Sequence, residues 1–273
     1  MSDVGPLLRH WRTARRLSQL ALAAEAAVSV RHLCFLETGR SSPSRAMVLR
    51  LAEVLDVPLR ERNALLLAAG FAPVYRESDL DAPELASVRG ALDAILAQQE
   101  PFPALVMDRD WDIRYANAGA RRFFAFLQGG RTATPPGPPN VLRRMFHPDG
   151  VRRHVTNWEE VAEALVRRAR REAIGGVTDE RARRVLDEVL AYPGVPASLA
   201  SVDAGAPLLP VVPVRYARAG REFDYFSTVT TLGTPQDVTL QELRIECFFP
   251  ADDATRSHAR HLAASAAAPA ASA

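Results

Sequence analysis

Apolar residues in the first quarter of the chain recur every three to four positions, the period of a helix with one buried face. That pattern predicts five short helices between residues 4 and 70. The first covers Pro6 to Arg16. The second takes Ser18 as its N-cap and runs to Ala26. The third takes Ser29 as its N-cap and stops before Gly39, placed where a helix C′ glycine belongs. The fourth follows SSPS, with Pro43 or Ser44 near its first turn and Met47, Leu51 and Leu55 at four-residue spacing. Leu59 to Ala69 make the fifth, closed by Gly70. Pro73 to Pro83 reads as a polar, proline-bounded linker.

The period then changes. Glu84 to Gln99 is helical. PALVMD and DRDWDIRYAN predict strand, turn, strand, with Asp110 placed to make the turn. Asn117 can cap a helix through Ala118 to Leu127. GGRTATPPGPPN predicts a mobile loop. Val161 to Ala173 and Thr178 to Ala191 are amphipathic and rich in Arg and Glu. LLPVVPVRY, EFDYFSTVTTL and LQELRIECFF predict three closing strands. Two strands, then helices, then three strands is the order of a PAS-like domain, with helices over one face of the sheet and a cavity between. After Pro250 the alanine-, serine- and proline-rich tail is expected to be disordered.

The third helix, within SVRHLCFLETGR, raises a question of its own. At about 100° per residue Leu33 and Leu36 share one face, and Val30, Arg31, Cys34, Phe35 and Thr38 share the other. Val28 and Leu33 stand at N′ and N4, the positions of a hydrophobic staple. A helix in a DNA major groove uses such an outward face, arginine against guanine and apolar groups against a thymine methyl. The alternative is that Phe35 packs on another part of the protein, as a dimer or domain contact.

Charge supports the first reading. Residues 1–76 hold 11 Arg against 6 Asp+Glu, a net of +5, and residues 77–253 hold 21 Arg against 26 Asp+Glu, a net of −5. A basic first part and an acidic remainder suggest that only the first meets a polyanion. Every basic residue other than histidine is arginine. Two cysteines, Cys34 and Cys247, fall in different expected domains and make no disulfide framework, which fits the cytoplasm. No apolar run approaches a membrane span, and no signal peptide is expected at the start.

The segment WRTARRLSQLALAAEAAVSVRHLCFLETGRSSPS resembles the helix-turn-helix of the Cro/XRE repressor family over about the first 70 residues. Its marks are SQ opening helix 2, Leu22–Ala23, VS before helix 3 and LETGR closing it. The resemblance implies an all-α, five-helix, lambda-repressor-like domain over residues 1–72. It implies Gln19 against backbone or a base edge, Val30, Arg31 and Phe35 facing bases, and His32, Thr38, Arg40 and Arg45 near phosphates. It also implies a partly buried ion pair, Arg12–Glu37, tying helix 1 to helix 3. The turn position often held by glycine is Ala27 here.

After a linker at 73–83, residues 84–253 resemble the ligand-binding domain of MmyB-like transcription regulators. FPALVMDRDWDIRYANAGA, NVLRRMF, NWEEVAEALVRRARREA and FSTVTTLGTPQDVTLQELRIECFFP carry the likeness. It implies an α+β, PAS-like sensor with a five-stranded antiparallel sheet, holding a small apolar ligand such as a fatty acid. Val106, Phe123, Phe124, Met145, Phe146, Trp158, Leu165 and Phe226 are the candidate lining, though each can equally be plain core. Arg122, Arg143 or Tyr225 can meet a carboxylate head. Residues 254–273 are the expected disordered tail.

Other chemistry finds little support. His147 with His154, and His258 with His261, lack companions at ligand spacing, so no metal and no cofactor is expected. Cys34 lies on the outward face of helix 3 without a visible thiolate-stabilising partner beyond nearby arginine. Gly233–Gln236 lacks the glycine and lysine of a phosphate loop, and no catalytic signature appears. The expected function is therefore a cytoplasmic transcription regulator, not an enzyme. It reads a double-stranded operator as a homodimer, with no membrane partner. Two rivals remain: a C-terminal domain serving only dimerisation or partner docking, or an enzyme fused to a DNA reader.

Overall fold

The computed structural model describes residues 4–129, 138–174, 180–203, 211–233 and 235–267. The chain divides into two compact units.

The first unit contains residues 4–79 and 235–241. Five helices build it: α1 (Val4–Ala14), α2 (Gln19–Glu25), α3 (Val30–Glu37), α4 (Arg45–Val54) and α5 (Leu59–Ala68). Serine opens three of them. Ser18, Ser29 and Ser44 accept hydrogen bonds from the amides of Ala21, His32 and Met47, satisfying donors that a helix start leaves orphaned. Leu8, Trp11, Leu22, Leu33, Leu36, Leu51 and Leu65 close one core.

The turn from α2 to α3 is a Schellman closure. Val28 N–H bonds to Ala23 O and Ala27 N–H to Ala24 O. It places Ala27 in left-handed backbone, at a φ of 52°. An L side chain adopts that conformation only at a cost of about 1–2 kcal/mol. The same motif ends α3, where glycine takes the left-handed position. Arg40 N–H bonds to Phe35 O and Gly39 N–H to Leu36 O. Gly39 sits at a φ of 71°.

Two further pieces complete this unit. Asn63 binds the backbone of Val74 and Tyr75, so the first part of the expected linker is held down by hydrogen bonds. Residues 235–241, which include most of α11 (Val238–Glu242), lie against residues 76–78. Val238 N–H bonds to Arg76 O, and Asp237 Oδ2 accepts from Ser78 N. Pro58 precedes α5 and has no side chain to cap it. Gln241 Oε1 does so instead, accepting from Leu59 N at 2.7 Å.

The second unit is α+β, around an antiparallel five-stranded sheet of order β2-β1-β5-β4-β3. Its strands are β1 (Ala104–Met107), β2 (Ile113–Ala116), β3 (Pro213–Arg218), β4 (Arg221–Thr230) and β5 (Arg244–Pro250). Proline can open β3 because β3 is an edge strand. Helices α6 (Ala86–Gln98), α7 (Ala118–Gln128), α8 (Val141–Phe146), α9 (Trp158–Ile174), α10 (Glu180–Leu190) and α12 (Asp253–Ala267) complete the unit. The β1–β2 turn is organised by Asp108 rather than Asp110. Asp108 Oδ1 accepts from the amides of Asp110 and Asp112 at 3.0 Å. Asn117 caps α7, its side chain accepting from Ala120 N.

One further expectation changes. The tail from 254 is not disordered as far as Ala267: it forms α12. Alanine has the highest helix propensity, and this stretch places Thr255, His258 and Ala259 on a buried face. His258 packs against the rings of Phe126 and Phe223, and Thr255 Oγ1 accepts from Asp224 N. Residues 268–273 lie outside the described residues, as does 130–137, the centre of the loop expected to be mobile.

Candidate functional site

The first candidate site begins with what pins α3. Leu33 and Leu36 are fully buried. Beside them Glu37 is held by a bidentate ion pair from α1. Arg12 Nε meets Oε1 at 2.6 Å and Nη2 meets Oε2 at 3.0 Å. Arg12 Nη1 also donates to Leu17 O. Burial alone would raise the Glu37 carboxyl. The hydrogen bonds from Arg12 and Gln19, with the charges of Arg12 and Arg9, outweigh it and hold the group below the ordinary carboxylate value.

With its inner face fixed, α3 turns the rest outward. Val30, Arg31 and Thr38 are exposed, and His32, Cys34 and Phe35 are half-buried. The Arg31 guanidinium lies 5.3 Å from the centroid of the Phe35 ring. That is a cation–π pair. Arg31 is not covered by its own chain. Arg40 and Arg45 are also exposed. Gln19 is more restricted than the sequence suggested. Its Nε2 donates to Glu37 Oε2 at 2.9 Å, which leaves its second N–H for an outside acceptor and its amide oxygen for an outside donor. A phosphate offers no such donor, whereas an adenine or cytosine amino group does.

The second candidate site is a cavity of about 430 Å3 in the α+β unit. That is within the size range of small-molecule pockets. The sheet contributes Leu105, Ile113, Tyr216, Ser227, Glu246 and Phe248. From α8 come Val141, Arg144 and Met145, and from α9 come Val161, Ala164, Leu165 and Arg168. The α9 positions are i, i+3, i+4 and i+7, one face of the helix.

Of the eight residues expected to line a pocket, Phe124, Met145 and Leu165 do so. The other five do not. Val106 alternates with the lining residue Leu105, so it points to the opposite side of the sheet. Phe123 is locked among Tyr216, Phe223 and Tyr225. Phe146 packs edge-to-face on Trp158, whose indole N–H donates to Met145 O. Phe226 stacks on Phe249. The expected head-group cations are likewise engaged: Arg122 pairs with Glu100, and Arg143 with Glu188 at 2.8 Å. Tyr225 is buried outside the cavity lining.

Three charged residues that sequence reasoning passed over line the cavity. Arg168 stacks over Trp111 at 4.5 Å, donates to Glu172 Oε1 at 3.0 Å and stands 4.0 Å from Glu246. Glu246 is buried and accepts from Ser227 Oγ at 2.7 Å. Burial pushes its carboxyl up, against the opposing pull of Arg168 and Ser227. Arg144 is the third. A signal was available: Arg168 falls on the apolar stripe of its helix, and Glu246 interrupts an apolar strand at an inward position.

A braced helix-turn-helix with a solvent-facing arginine on α3, and a sheet-and-helix domain enclosing an apolar cavity, define a DNA-binding transcription regulator with a ligand-sensing domain. The chain belongs to the family of MmyB-like transcription regulators. The family described as "MmyB-like transcription regulator ligand binding domain" matches residues 88–262, and the one described as "Helix-turn-helix domain" matches residues 3–65. Both are families of regulators rather than enzymes. No curated protein matches the chain. A solved structure titled "Structure of an RNA-binding Light-Oxygen-Voltage Receptor" aligns at 13% identity and a TM-score of 0.26. That alignment covers 98% of this chain and 64% of the other, so the chain spans less than two thirds of that structure's length. Among the described residues no single helix is long and apolar enough to cross a membrane, and no group of three or more His, Cys, Asp or Glu is placed to hold a metal ion.

Proposed function

We propose that this protein is a cytoplasmic, non-enzymatic regulator that reads a double-stranded operator as a homodimer and responds to a small apolar molecule, such as a fatty acid. On the DNA side, Val30, Arg31 and Phe35 meet base edges, and Gln19 offers its amide oxygen to a base amino group. His32, Thr38, Arg40 and Arg45 lie along the phosphates. Phosphate contacts supply affinity and register, and the few base contacts supply sequence choice. One such module buries little surface, so two heads reading half-sites about 34 Å apart is the fitting arrangement. On the ligand side, the molecule occupies the cavity between sheet, α8 and α9. It shifts the protein between binding-competent and incompetent arrangements only by its difference in affinity for the two.

The observation that carries this reading is the cavity itself, about 430 Å3 with a mainly apolar lining. The test is native mass spectrometry of the purified full chain for a retained lipid, together with melting of the delipidated protein in added dodecanoic acid. A retained small molecule, or a melting temperature that rises with ligand concentration, is expected. A chain that emerges empty and melts unchanged would instead favour a domain used only for dimerisation or docking.

A further inference from the structure

The cavity is not uniformly greasy, and its polar groups are unevenly satisfied. Arg168 has Glu172, Glu246 and the Trp111 ring, and only its Nη2 is buried without a partner. Arg144 has nothing: among the described residues its side chain makes no hydrogen bond and no ion pair, and its Nε is buried without a partner. Burial pushes the Arg144 guanidinium pKa down, with no compensating partner. A cation half-withdrawn from water and left unpaired carries a desolvation cost. A fold that keeps one in a ligand-sized cavity gains when the occupant brings an anion.

Glu246 offers the complementary acceptor. Its Oε1 is filled by Ser227, but its Oε2 receives no hydrogen bond and stands 4.0 Å from Arg168. Arg144 lies on α8 and Glu246 on β5, and each is linked to a different turn of α9. Trp158, at its start, bonds to Met145, the neighbour of Arg144. Arg168 adjoins Glu246. Ten positions separate Trp158 from Arg168, about 15 Å along the helix axis. An unsubstituted acyl chain lying between them would satisfy Arg144 with its carboxylate and seal Glu246 Oε2 beneath methylenes.

We propose that the ligand is an oxygenated carboxylic acid: an acyl chain whose carboxylate pairs with Arg144 and whose second oxygen function, a hydroxyl, bonds to the Glu246–Ser227 pair. This rests on the reading that the cavity takes up a small apolar molecule, and it adds two polar ends to that molecule.

The experiment uses the full chain, delipidated, with four probes: dodecanol, dodecanoic acid, and hydroxydodecanoic acids bearing the hydroxyl at mid-chain or at the ω end. Dodecanoic acid is expected to bind more tightly than dodecanol. At least one hydroxy acid is expected to bind roughly tenfold more tightly than dodecanoic acid, the worth of one buried polar group satisfied. Arg144→Met removes the advantage of acid over alcohol. Because it also deletes an unpaired, half-buried charge, it does not lower the melting temperature of the empty protein. Glu246→Leu abolishes the advantage of the hydroxy acid and leaves dodecanoic acid binding in place; Glu246→Gln, closer in shape, serves if the leucine variant does not fold. Equal affinity for dodecanoic acid and both hydroxy acids overturns the proposal while leaving the apolar-ligand reading intact. Dodecanol binding as well as dodecanoic acid overturns the role of Arg144. Failure of all four probes to bind overturns both readings together.

Discussion

Arg12 and Glu37, 25 residues apart in the chain, close a bidentate ion pair at 2.6 and 3.0 Å, and the Glu37 side chain is only 2% exposed. This contact, with Leu33 and Leu36, fixes how α3 is presented. Glu37→Ala leaves the Arg12 guanidinium partly buried without its carboxylate, a change that costs about 3 kcal/mol when a buried pair is broken on one side. The Glu37 pKa is depressed in the folded protein, so its stabilisation is fully present above the ordinary value of 4.5 and drains away as pH falls through the lower folded value. Urea midpoints measured from neutral pH down into the acid range check this: Glu37→Gln should be less stable at neutral pH and show a shallower acid-side decline than wild type.

Arg31 is exposed at the start of α3 and rests on the Phe35 ring. Arg31→Ala is expected to cost about 1–3 kcal/mol on a specific operator and to relax choice at one base pair. Binding to a set of single-substituted operators reads this. An equal loss on specific and random DNA would falsify the base contact.

Arg40 follows the Schellman turn that ends α3 and is exposed. As a phosphate contact it carries charge rather than sequence information. Arg40→Ala should weaken all DNA sequences alike and reduce the slope of log affinity against log salt by about one. A titration between about 50 and 200 mM salt, concentrations at which such slopes are well developed, decides it.

Gln241 caps α5 from 182 residues away, supplying the acceptor that Pro58 lacks. Gln241→Ala is expected to destabilise the start of α5 by about 1 kcal/mol, the worth of a helix N-cap. Hydrogen exchange at the amides of the first turn of α5 measures it locally. Unchanged protection there would mean that water replaces the glutamine without penalty.

Most of the helix-turn-helix was legible residue by residue because its determinants are local. Ser18 and Ser29 as caps, Gly39 as a left-handed stop, and Leu33 and Leu36 on one face are each set by neighbours within four positions. The α12 helix was missed because alanine-rich composition is shared by helices and by disordered tails. What separates the two is whether a face such as Thr255, His258 and Ala259 finds something to cover.

The sequence by itself determined most of the secondary elements, the buried face of the third helix and the succession of strands, because periodicity and capping act over one or two turns. Only the tertiary structure decided which side chains face the cavity. Arg143 and Arg144 are adjacent on a six-residue helix, yet the rotation of α8 gives Arg143 to Glu188 and Arg144 to the cavity. Phe123 and Phe124 divide in the same way, one into the core and one onto the cavity wall. Apolar residues obey the same burial rule in a core and in a pocket lining. The difference between them is the space left over when sheet and helices pack, and that is a property of the whole domain.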